Sequence, residues 1–353
     1  CYGHNGADDA ELDAALLANA VEGKYIKVIW SRYDEFHAAP MGAAMSTKSR
    51  AHLGPDGLIT AFDVEVTSVP HSSRPGTGGT PNLRSAVLIE NSKLPAKSPD
   101  VPAVRGGGAE RNAVPSYDFG PVRVKKRLVH DLPYRASALR SLGAYNNVIV
   151  NEGLIDEIAL NVGENPLDFR IKHCAEDRSK ELLLRLDKET KTYRKKLKES
   201  QGWGVAYARY KGVSGLCAVF VSVTVDEEVS VDHVVSVSDV GEAISPDGVK
   251  NQIEGGIIQS ISWTLKEAVK TDGNSVAVES WFDYPIIKFS EIPTMDTILI
   301  ERPYEKPLGA AEISQGPAGA AVANAVRNAL GIRVKQLPIT RDAIVSSLLS
   351  SEV

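Results

Sequence analysis

Residues 251–259 read NQIEGGIIQ and lie within a helix that we predict from residue 247 to about residue 270. Two predicted strands precede this helix, and a further strand and a second helix follow it. These four elements span residues 217–225, 231–240, 297–301 and 317–330. Strands and helices are mixed here without an internal repeat, which is the pattern of an α+β fold.

The first half of the chain contains the same mixture of elements. We predict helices at residues 9–20 and 147–162 and from Pro166 onward, and strands at residues 24–31, 43–53, 58–68 and 122–129. Residues 70–121 are rich in Pro, Gly and Ser, but recurring apolar residues favour a long ordered loop.

The charged segment KELLLRLDKETKTYRKKLKE at residues 180–199 is expected to form a solvated helix that connects two lobes. The predicted domain organisation is therefore a first lobe at residues 1–177, with a glycine loop and the long inserted loop. A helical connector follows at residues 178–201, and a second lobe with the loop around Glu312 occupies residues 202–353.

The composition excludes two classes of partner. The 353 residues carry 40 Lys and Arg against 45 Asp and Glu, which gives a net charge of −5. This balance lacks the basic excess needed to bind a phosphate backbone, so nucleic-acid binding is excluded. No apolar run approaches the roughly 20 residues of a membrane-spanning helix, and we predict no membrane span.

Cysteine and histidine spacing argues against a metal or iron–sulfur site within the chain. Cys1, Cys174 and Cys217 are far apart and include no CxxC pair. The seven histidines show no HxxxH or HxH spacing. Redox chemistry would therefore require a cofactor held mostly by backbone groups, with the electron carriers on another chain.

Three loops rich in small residues could hold a polar ligand. CYGHNG at residues 1–6 offers free N–H groups before a helix, although a simple helix-entry turn has the same sequence pattern. RASALRSLGA at residues 135–144 contains an Arg that can bind a phosphate or carboxylate, or pair with a neighbouring acid. In PLGAAE at residues 307–312, Glu312 is either a general base in an apolar setting or an acid that complements a helix dipole.

In this order the loops resemble segments of the molybdenum-cofactor subunit of the xanthine oxidase family, in the branch of isoquinoline 1-oxidoreductase and nicotinate- or aldehyde-dehydrogenase-like large subunits. CYGH at residues 1–4 resembles the family's glycine-aromatic-glycine loop, and ALRSLGA at residues 138–144 its A-[FL]-R-[GS]-x-G-[AS] segment. DVG at residues 239–241 with NQIEGGIIQ matches D-x-G…N-Q-[IV]-E-G-G-[IV]-x-Q, and PLGAAE stands at the P-x-G-x-G-E position.

The resemblance covers almost the whole chain and implies an α+β, two-lobe fold of the xanthine oxidase and aldehyde oxidoreductase type. It implies the C-terminal part of a hydroxylase that oxidises an N-heteroaromatic or aldehyde carbon with water as the oxygen source. Glu312 would be the base that deprotonates a hydroxyl on molybdenum. The residues implied to line the cofactor are Tyr2, Gly3, His4, Arg140, Ser141, Gly309 and Ala311.

Departures from the family pattern imply partners. The chain lacks the family's M-G-Q-G loop, so molybdopterin and its molybdenum would be shared with an N-terminal portion of the same large subunit. The 2Fe–2S clusters would lie on an iron–sulfur electron-transfer subunit. Ala311 replaces the usual glycine before the glutamate, which would crowd the approach to the metal. Cytoplasmic and periplasmic locations both remain open.

A second hypothesis rests on the residue at the chain start. Cys1 could be the nucleophile of a self-processed amide hydrolase that reuses this fold, with its own α-amino group as the base. The two hypotheses make different demands, because the first depends on Glu312 and the second on Cys1.

Overall fold

The computed structural model describes residues 8–72, 83–92, 97–132, 134–174, 176–194, 198–273 and 275–351. The helices in this part of the chain are α1 (Asp9–Ala20), α2 (Arg32–Ala38), α3 (Arg84–Leu88), α4 (Ala144–Asn161), α5 (Pro166–Lys172), α6 (Asp177–Thr190), α7 (Pro246–Leu265), α8 (Gln315–Leu330) and α9 (Arg341–Ser351). The strands are β1 (Met45–Leu53), β2 (Ile59–Ser68), β3 (Val122–Leu128), β4 (Gln201–Arg209), β5 (Leu216–Val225), β6 (Val229–Asp239), β7 (Thr271–Asp272), β8 (Ser275–Val276) and β9 (Thr294–Leu299).

The first sheet has the strand order β1-β2-β3, with β1 antiparallel and β3 parallel to β2. Alternate residues of β2 point into a core, and Phe62, Val64 and Val66 are each buried there. Helix α4 covers this face with Ile155 and Ile158. The period-2 burial of β2 explains why its position could be predicted from sequence alone.

The second sheet has the order β4-β5-β6-β9 and is covered on both faces. Helices α7 and α8 pack on one face, and α6 packs on the other. Strand β5 is accordingly buried along nearly its whole length. Leu182, Leu183 and Leu186 of α6 are fully buried, so the expectation of a solvated helix is correct for its charged face alone.

Helix α8 lies unusually close to strand β4 because both surfaces are built from small residues. Its sequence QGPAGAAVANAVRNAL presents alanines to the sheet, and β4 presents Gly202 and Gly204. A Cβ at Gly204 would overlap the backbone of Ala321 and Ala325. This contact holds the middle of α8 against the sheet.

Helix α4 contacts both halves of the structure. Its N-terminal residues Ala144 and Val148 belong to the core around α8, whereas Ile155 and Ile158 belong to the core of the first sheet. Arg170 of α5 is fully buried beside it and pairs with Glu152 (2.9 Å) and Asp156 (2.9 Å) of α4. Glu152 also accepts a hydrogen bond from the N–H of Tyr207 in β4 (2.9 Å), which ties α4 to the second sheet. The division into residues 1–177, 178–201 and 202–353 stays a prediction.

Most predicted elements are present, and the differences have physical reasons. The strand predicted at residues 24–31 is wrong, because Tyr25 and Ile29 are exposed and no strand pairs with this segment among the described residues. Strand β4 was not predicted, since its two glycines weaken the strand pattern. Helices α2 and α9 were also not predicted. None of the described helices combines the length and apolar character needed to cross a membrane.

Candidate active site around Glu312

The loop that carries Glu312 is anchored at the end of strand β6. Leu308 donates to the carbonyl of Val240 (2.7 Å), and Glu242 donates to the carbonyl of Glu305 (3.2 Å). Gly241 has a left-handed φ of +65°, and a Cβ there would overlap the carbonyl oxygen of Lys306. The DVG motif therefore makes the turn that seats the Glu312 loop.

The other side of the loop is held by the β4–β5 turn and by helix α7. Gly215 of the turn donates to the carbonyl of Gly309 (3.2 Å). Ser314 Oγ donates to the carbonyl of Ile253 in α7 (3.0 Å). Gly256 of α7 faces Ser314 and Gln315, leaving no room for a side chain. The second glycine of NQIEGGIIQ thus permits α7 to approach the base of the loop.

Both oxygens of the Glu312 carboxylate accept hydrogen bonds. The Ser141 N–H donates to Oε1 (2.8 Å), and the Tyr210 hydroxyl donates to Oε2 (2.8 Å). Arg111 Nη1 in turn donates to the Tyr210 oxygen (2.8 Å). Burial raises the pKa of Tyr210 well above its ordinary value, and the negative charge of Glu312 raises it further. The phenol therefore stays protonated and remains a donor.

Arg140 links the arginine loop to the Glu312 loop and to α7. Its Nε donates to the carbonyl of Ala311 (2.8 Å), and Nη2 bonds the carbonyl (3.0 Å) and side-chain oxygen (3.2 Å) of Gln252. Gln259 lies 3.4 Å from Nη1. The two glutamines of NQIEGGIIQ thus converge on one guanidinium, whose planar fork suits several oxygen acceptors at once.

The arginine loop adopts a conformation that few residues tolerate. Ser141 and Leu142 both have left-handed φ values, +68° and +51°. Such conformations cost of order 1–3 kcal/mol per residue and cluster at functional sites. Gly143 packs against the backbone of Gly108 and Ala109, which holds the loop in place. The result is that the Ser141 N–H faces the Glu312 carboxylate.

The Glu312 loop also has backbone groups that could hold a polar cofactor. The N–H groups of Gly309, Ala310 and Glu312 form no hydrogen bond within the described part of the chain. Gly309 is exposed, and a Cβ there would be in ordinary van der Waals contact with Ser214 Oγ (3.8 Å). Successive free N–H groups beside a carboxylate and a guanidinium suit a ligand with acceptor atoms, which fits a pterin-bound metal group.

A cavity of about 510 Å³ lies beside the β4–β5 turn, and Glu312 is not among its lining residues. Most of its charged groups are already paired. Arg209 binds Glu176 (2.8 Å), and Glu110 binds Lys126 (2.7 Å). The anchored carboxylate, rather than this cavity, therefore marks the site where chemistry is best supported.

The structure brings five of the sequence-predicted site residues together, and their roles stay predictions. These residues are Arg140, Ser141, Gly309, Ala311 and Glu312. Cys1, Tyr2, Gly3 and His4 lie outside the described residues. Tyr210 and Arg111 were not singled out from sequence. The only signals were the neighbouring RGGG segment at residues 105–108 and the turn residues after β4.

Comparison with known proteins identifies a cofactor-binding domain in the chain. Residues 170–293 match the model of a molybdopterin cofactor-binding domain. A nicotinate dehydrogenase polypeptide of Pseudomonas putida is 35% identical over 99% of this chain and 29% of its own length. The beta polypeptide of isoquinoline 1-oxidoreductase from Brevundimonas diminuta is 26% identical over 96% of this chain and 41% of its own length. The chain therefore contains a molybdopterin cofactor-binding domain and is similar to subunits of these two oxidoreductases.

Solved structures support the fold of the chain. Quinoline 2-oxidoreductase from Pseudomonas putida 86 superposes with a TM-score of 0.75 at 15% identity, over 96% of this chain and 66% of that one. Aldehyde oxidoreductase from Desulfovibrio gigas gives a TM-score of 0.68 at 13% identity, over 88% of this chain and 50% of that one. The predicted α+β fold of the aldehyde oxidoreductase type is confirmed. The chain spans less than half the length of the two curated relatives above, and these comparisons give no support to the amide-hydrolase hypothesis.

Proposed function

We propose that this chain supplies the general base and part of the cofactor site of a molybdenum hydroxylase. The observation that carries the proposal is the Glu312 carboxylate, which is held by Ser141 and Tyr210 beside a loop with free N–H groups. A positioned carboxylate next to a polar ligand site is the arrangement that proton abstraction requires.

When bound, molybdopterin would supply a molybdenum centre that oxidises the substrate carbon with oxygen from water. The chain's own residues would accept the proton, position the base and bind the cofactor. Glu312 takes up the proton that is released from the attacking water-derived oxygen, and its Oε atoms are the acceptors. Arg140 fixes the Ala311 carbonyl and so holds the residue before the base. Gly309 and Ala310 offer N–H groups to the cofactor.

The substrate class and partners are proposed from the relatives. The names of the two curated relatives specify nicotinate and isoquinoline, both aromatic rings that contain nitrogen. We propose that the substrate is an N-heteroaromatic ring, and that an aldehyde is the alternative substrate. We also propose that an N-terminal portion of the same large subunit completes the cofactor site, and that an iron–sulfur subunit carries electrons away.

Replacing Glu312 tests the proposal. The Glu312→Gln variant of the complete enzyme keeps the size of the side chain and an oxygen that can accept one of the two hydrogen bonds, but it cannot act as a base at neutral pH. We expect turnover of nicotinate, isoquinoline or benzaldehyde, whichever the wild-type enzyme oxidises, to fall by about 10²–10⁴-fold. The molybdenum and pterin contents should be unchanged.

Glu254→Gln provides the matched control, since this glutamate of α7 has no ion pair within the described part of the chain. Its turnover should equal that of the wild type. Full activity in Glu312→Gln, measured with equal molybdenum content, would show that another group is the base.

A further inference from the structure

We infer that Tyr210 is a positioning residue that orients the Glu312 side chain, with Arg111 setting the direction of the Tyr210 proton. The inference rests on the proposed role of Glu312 as base. It concerns a different residue and a different measurement, so it can fail while that role stands.

The direction of the phenol proton follows from the hydrogen-bonding groups. Arg111 Nη1 can donate but cannot accept, and it lies 2.8 Å from the Tyr210 oxygen. The Tyr210 oxygen therefore accepts from Arg111, and its single proton is left for Glu312 Oε2 at 2.8 Å. The Ser141 backbone N–H is likewise a donor only, and it bonds Oε1 at 2.8 Å. The two donors approach different oxygens, so together they fix the orientation of the Glu312 carboxyl group.

The arrangement is buried, which strengthens its electrostatic effect. Tyr210 is 6% exposed and Arg111 is 4% exposed. The other hydrogen bonds of the Arg111 guanidinium go to the carbonyl oxygens of Gly106 (3.2 Å) and Arg105 (3.4 Å). No carboxylate lies within ion-pair distance of Arg111 in the described residues. Its charge is therefore balanced by Glu312 through the Tyr210 hydroxyl rather than by a direct ion pair.

The backbone around Tyr210 is fixed before any ligand binds. Asn112 accepts from the Lys211 N–H (2.9 Å) and donates to the carbonyl of Arg209 (2.8 Å), so it clamps the residues on both sides of Tyr210. Lys211 has a left-handed φ of +56°. The Tyr210 N–H also bonds the carbonyl of Gly215 (3.0 Å). A hydroxyl on such a clamped turn loses little freedom when it binds Glu312.

Four charged or titratable side chains surround Glu312 in the part of the chain that is described. Tyr210 and Lys211 approach from the β4–β5 turn, Arg111 from the loop before β3, and Arg140 from the arginine loop. Burial and the charge of Arg111 lower the pKa of Lys211 from its ordinary value, while Glu312 opposes that shift. Of the four, only Tyr210 donates directly to the carboxylate.

The test replaces Tyr210 with Phe in the complete holoenzyme. Without the phenolic donor, one of the two hydrogen bonds that orient the Glu312 side chain is lost. At the pH optimum kcat should fall by about tenfold or more because Glu312 is less well oriented, whereas KM should change little.

A second readout does not depend on turnover. The Glu312 side chain contributes infrared carboxylate stretching bands that are absent in Glu312→Gln. We expect these bands to change frequency in Tyr210→Phe relative to wild type, in both the cofactor-loaded and the cofactor-free enzyme, because the hydrogen bond to Oε2 is lost. Unchanged bands together with an unchanged kcat in Tyr210→Phe would overturn the inference.

Two further variants complete the design. Tyr207→Phe is the matched control, because the Tyr207 hydroxyl is also buried but bonds Ser179 (2.7 Å) instead of Glu312. Its kcat and its Glu312 carboxylate bands should match those of the wild type. Arg111→Met removes the donor behind Tyr210 and should change the bands and lower kcat in the same direction by a smaller amount. This variant tests the inference if Tyr210→Phe does not fold. If Glu312→Gln keeps full turnover, the proposed base is wrong; if Glu312→Gln is inactive while Tyr210→Phe and Arg111→Met leave both kcat and the bands unchanged, only this inference is wrong.

Discussion

Arg140 shows how one side chain can join three separate segments of sequence. Its guanidinium binds the carbonyl of Ala311 and two glutamines of α7. These partners lie more than 100 residues away along the chain. An Arg can satisfy them together because its five N–H donors are fixed in one plane. The family motifs around residues 140, 252 and 312 are therefore parts of one hydrogen-bonded unit.

Exchanging Arg140 for Lys should preserve the charge and break this unit. A single ammonium cannot bind Ala311, Gln252 and Gln259 in the same geometry. We expect the Arg140→Lys variant to lose about 10-fold or more in kcat and to purify with a reduced molybdenum content. Metal analysis and steady-state kinetics of the complete enzyme would check this. Arg185→Lys, whose partner is Glu189 on the exposed face of α6, should behave as wild type.

At the scale of elements, two adjacent glycines of α7 have opposite surroundings. Gly255 has no atom within 4 Å of the position of a side chain, whereas Gly256 faces Ser314 Oγ and Gln315. Ser314 cannot simply turn away, because it bonds the carbonyl of Ile253. Substitution of Gly255 therefore measures helix propensity alone, whereas substitution of Gly256 also measures packing at the base of the Glu312 loop.

Alanine at these two positions should have opposite effects on stability. Gly255→Ala should stabilise the protein by about 0.5–1 kcal/mol through helix propensity. Gly256→Ala should destabilise it by about 1–3 kcal/mol through overpacking, and should lower turnover by displacing Ser314. Denaturant unfolding and activity of both variants would measure this. Equal effects of the two substitutions would contradict the packing seen around Gly256.

Which elements could be predicted depended on whether their signal is local. Strand β2 alternates in burial, and α8 is a continuous run of helix-forming small residues, so both were predicted from sequence. Strand β4 was not predicted because the reason for its glycines is their close packing against α8, more than 100 residues later in the sequence. At the site, Glu312 and Arg140 lie in motifs, whereas the role of Tyr210 depends on its hydrogen bond to a residue 102 positions away. Such a contact cannot be predicted from a local sequence pattern.

At the scale of the whole molecule, a network of charged side chains around the buried Asp239 joins the second sheet to α6. Asp239 at the end of β6 is fully buried and pairs with Arg178 of α6 and with Arg302 (3.1 Å). Arg302 also binds Glu181 (2.6 Å). Burial alone would raise the pKa of Asp239, but Arg178, the Gly241 N–H and Arg302 together lower it below the ordinary value of 3.8.

This lowered pKa predicts an acid-sensitive part of the protein's stability. Because the folded-state pKa lies below the unfolded value, the stabilisation is present above about pH 4 and is lost as pH falls through the folded-state value. Asp239→Asn should cost about 1.5–3 kcal/mol at pH 7, because the neutral amide replaces the carboxylate that Arg178 and Arg302 bind. It should also flatten the loss of stability as the pH falls below about 4. Unfolding free energies measured across this range would check both effects, with exposed Asp226→Asn as the control.

Helix α4, whose two ends belong to different hydrophobic cores, has a consequence for how such chains can evolve. Exchange of segments between relatives is tolerated where few contacts cross the junction. A crossover between residues 178 and 201 would take α4 from one parent and β4 from another. Glu152 and its hydrogen-bond donor, the Tyr207 N–H, would then come from different parents. The same crossover would separate the arginine loop, which leads directly into α4, from the Glu312 loop. Residues on the two sides of this junction are therefore expected to be inherited together, as a single unit of selection.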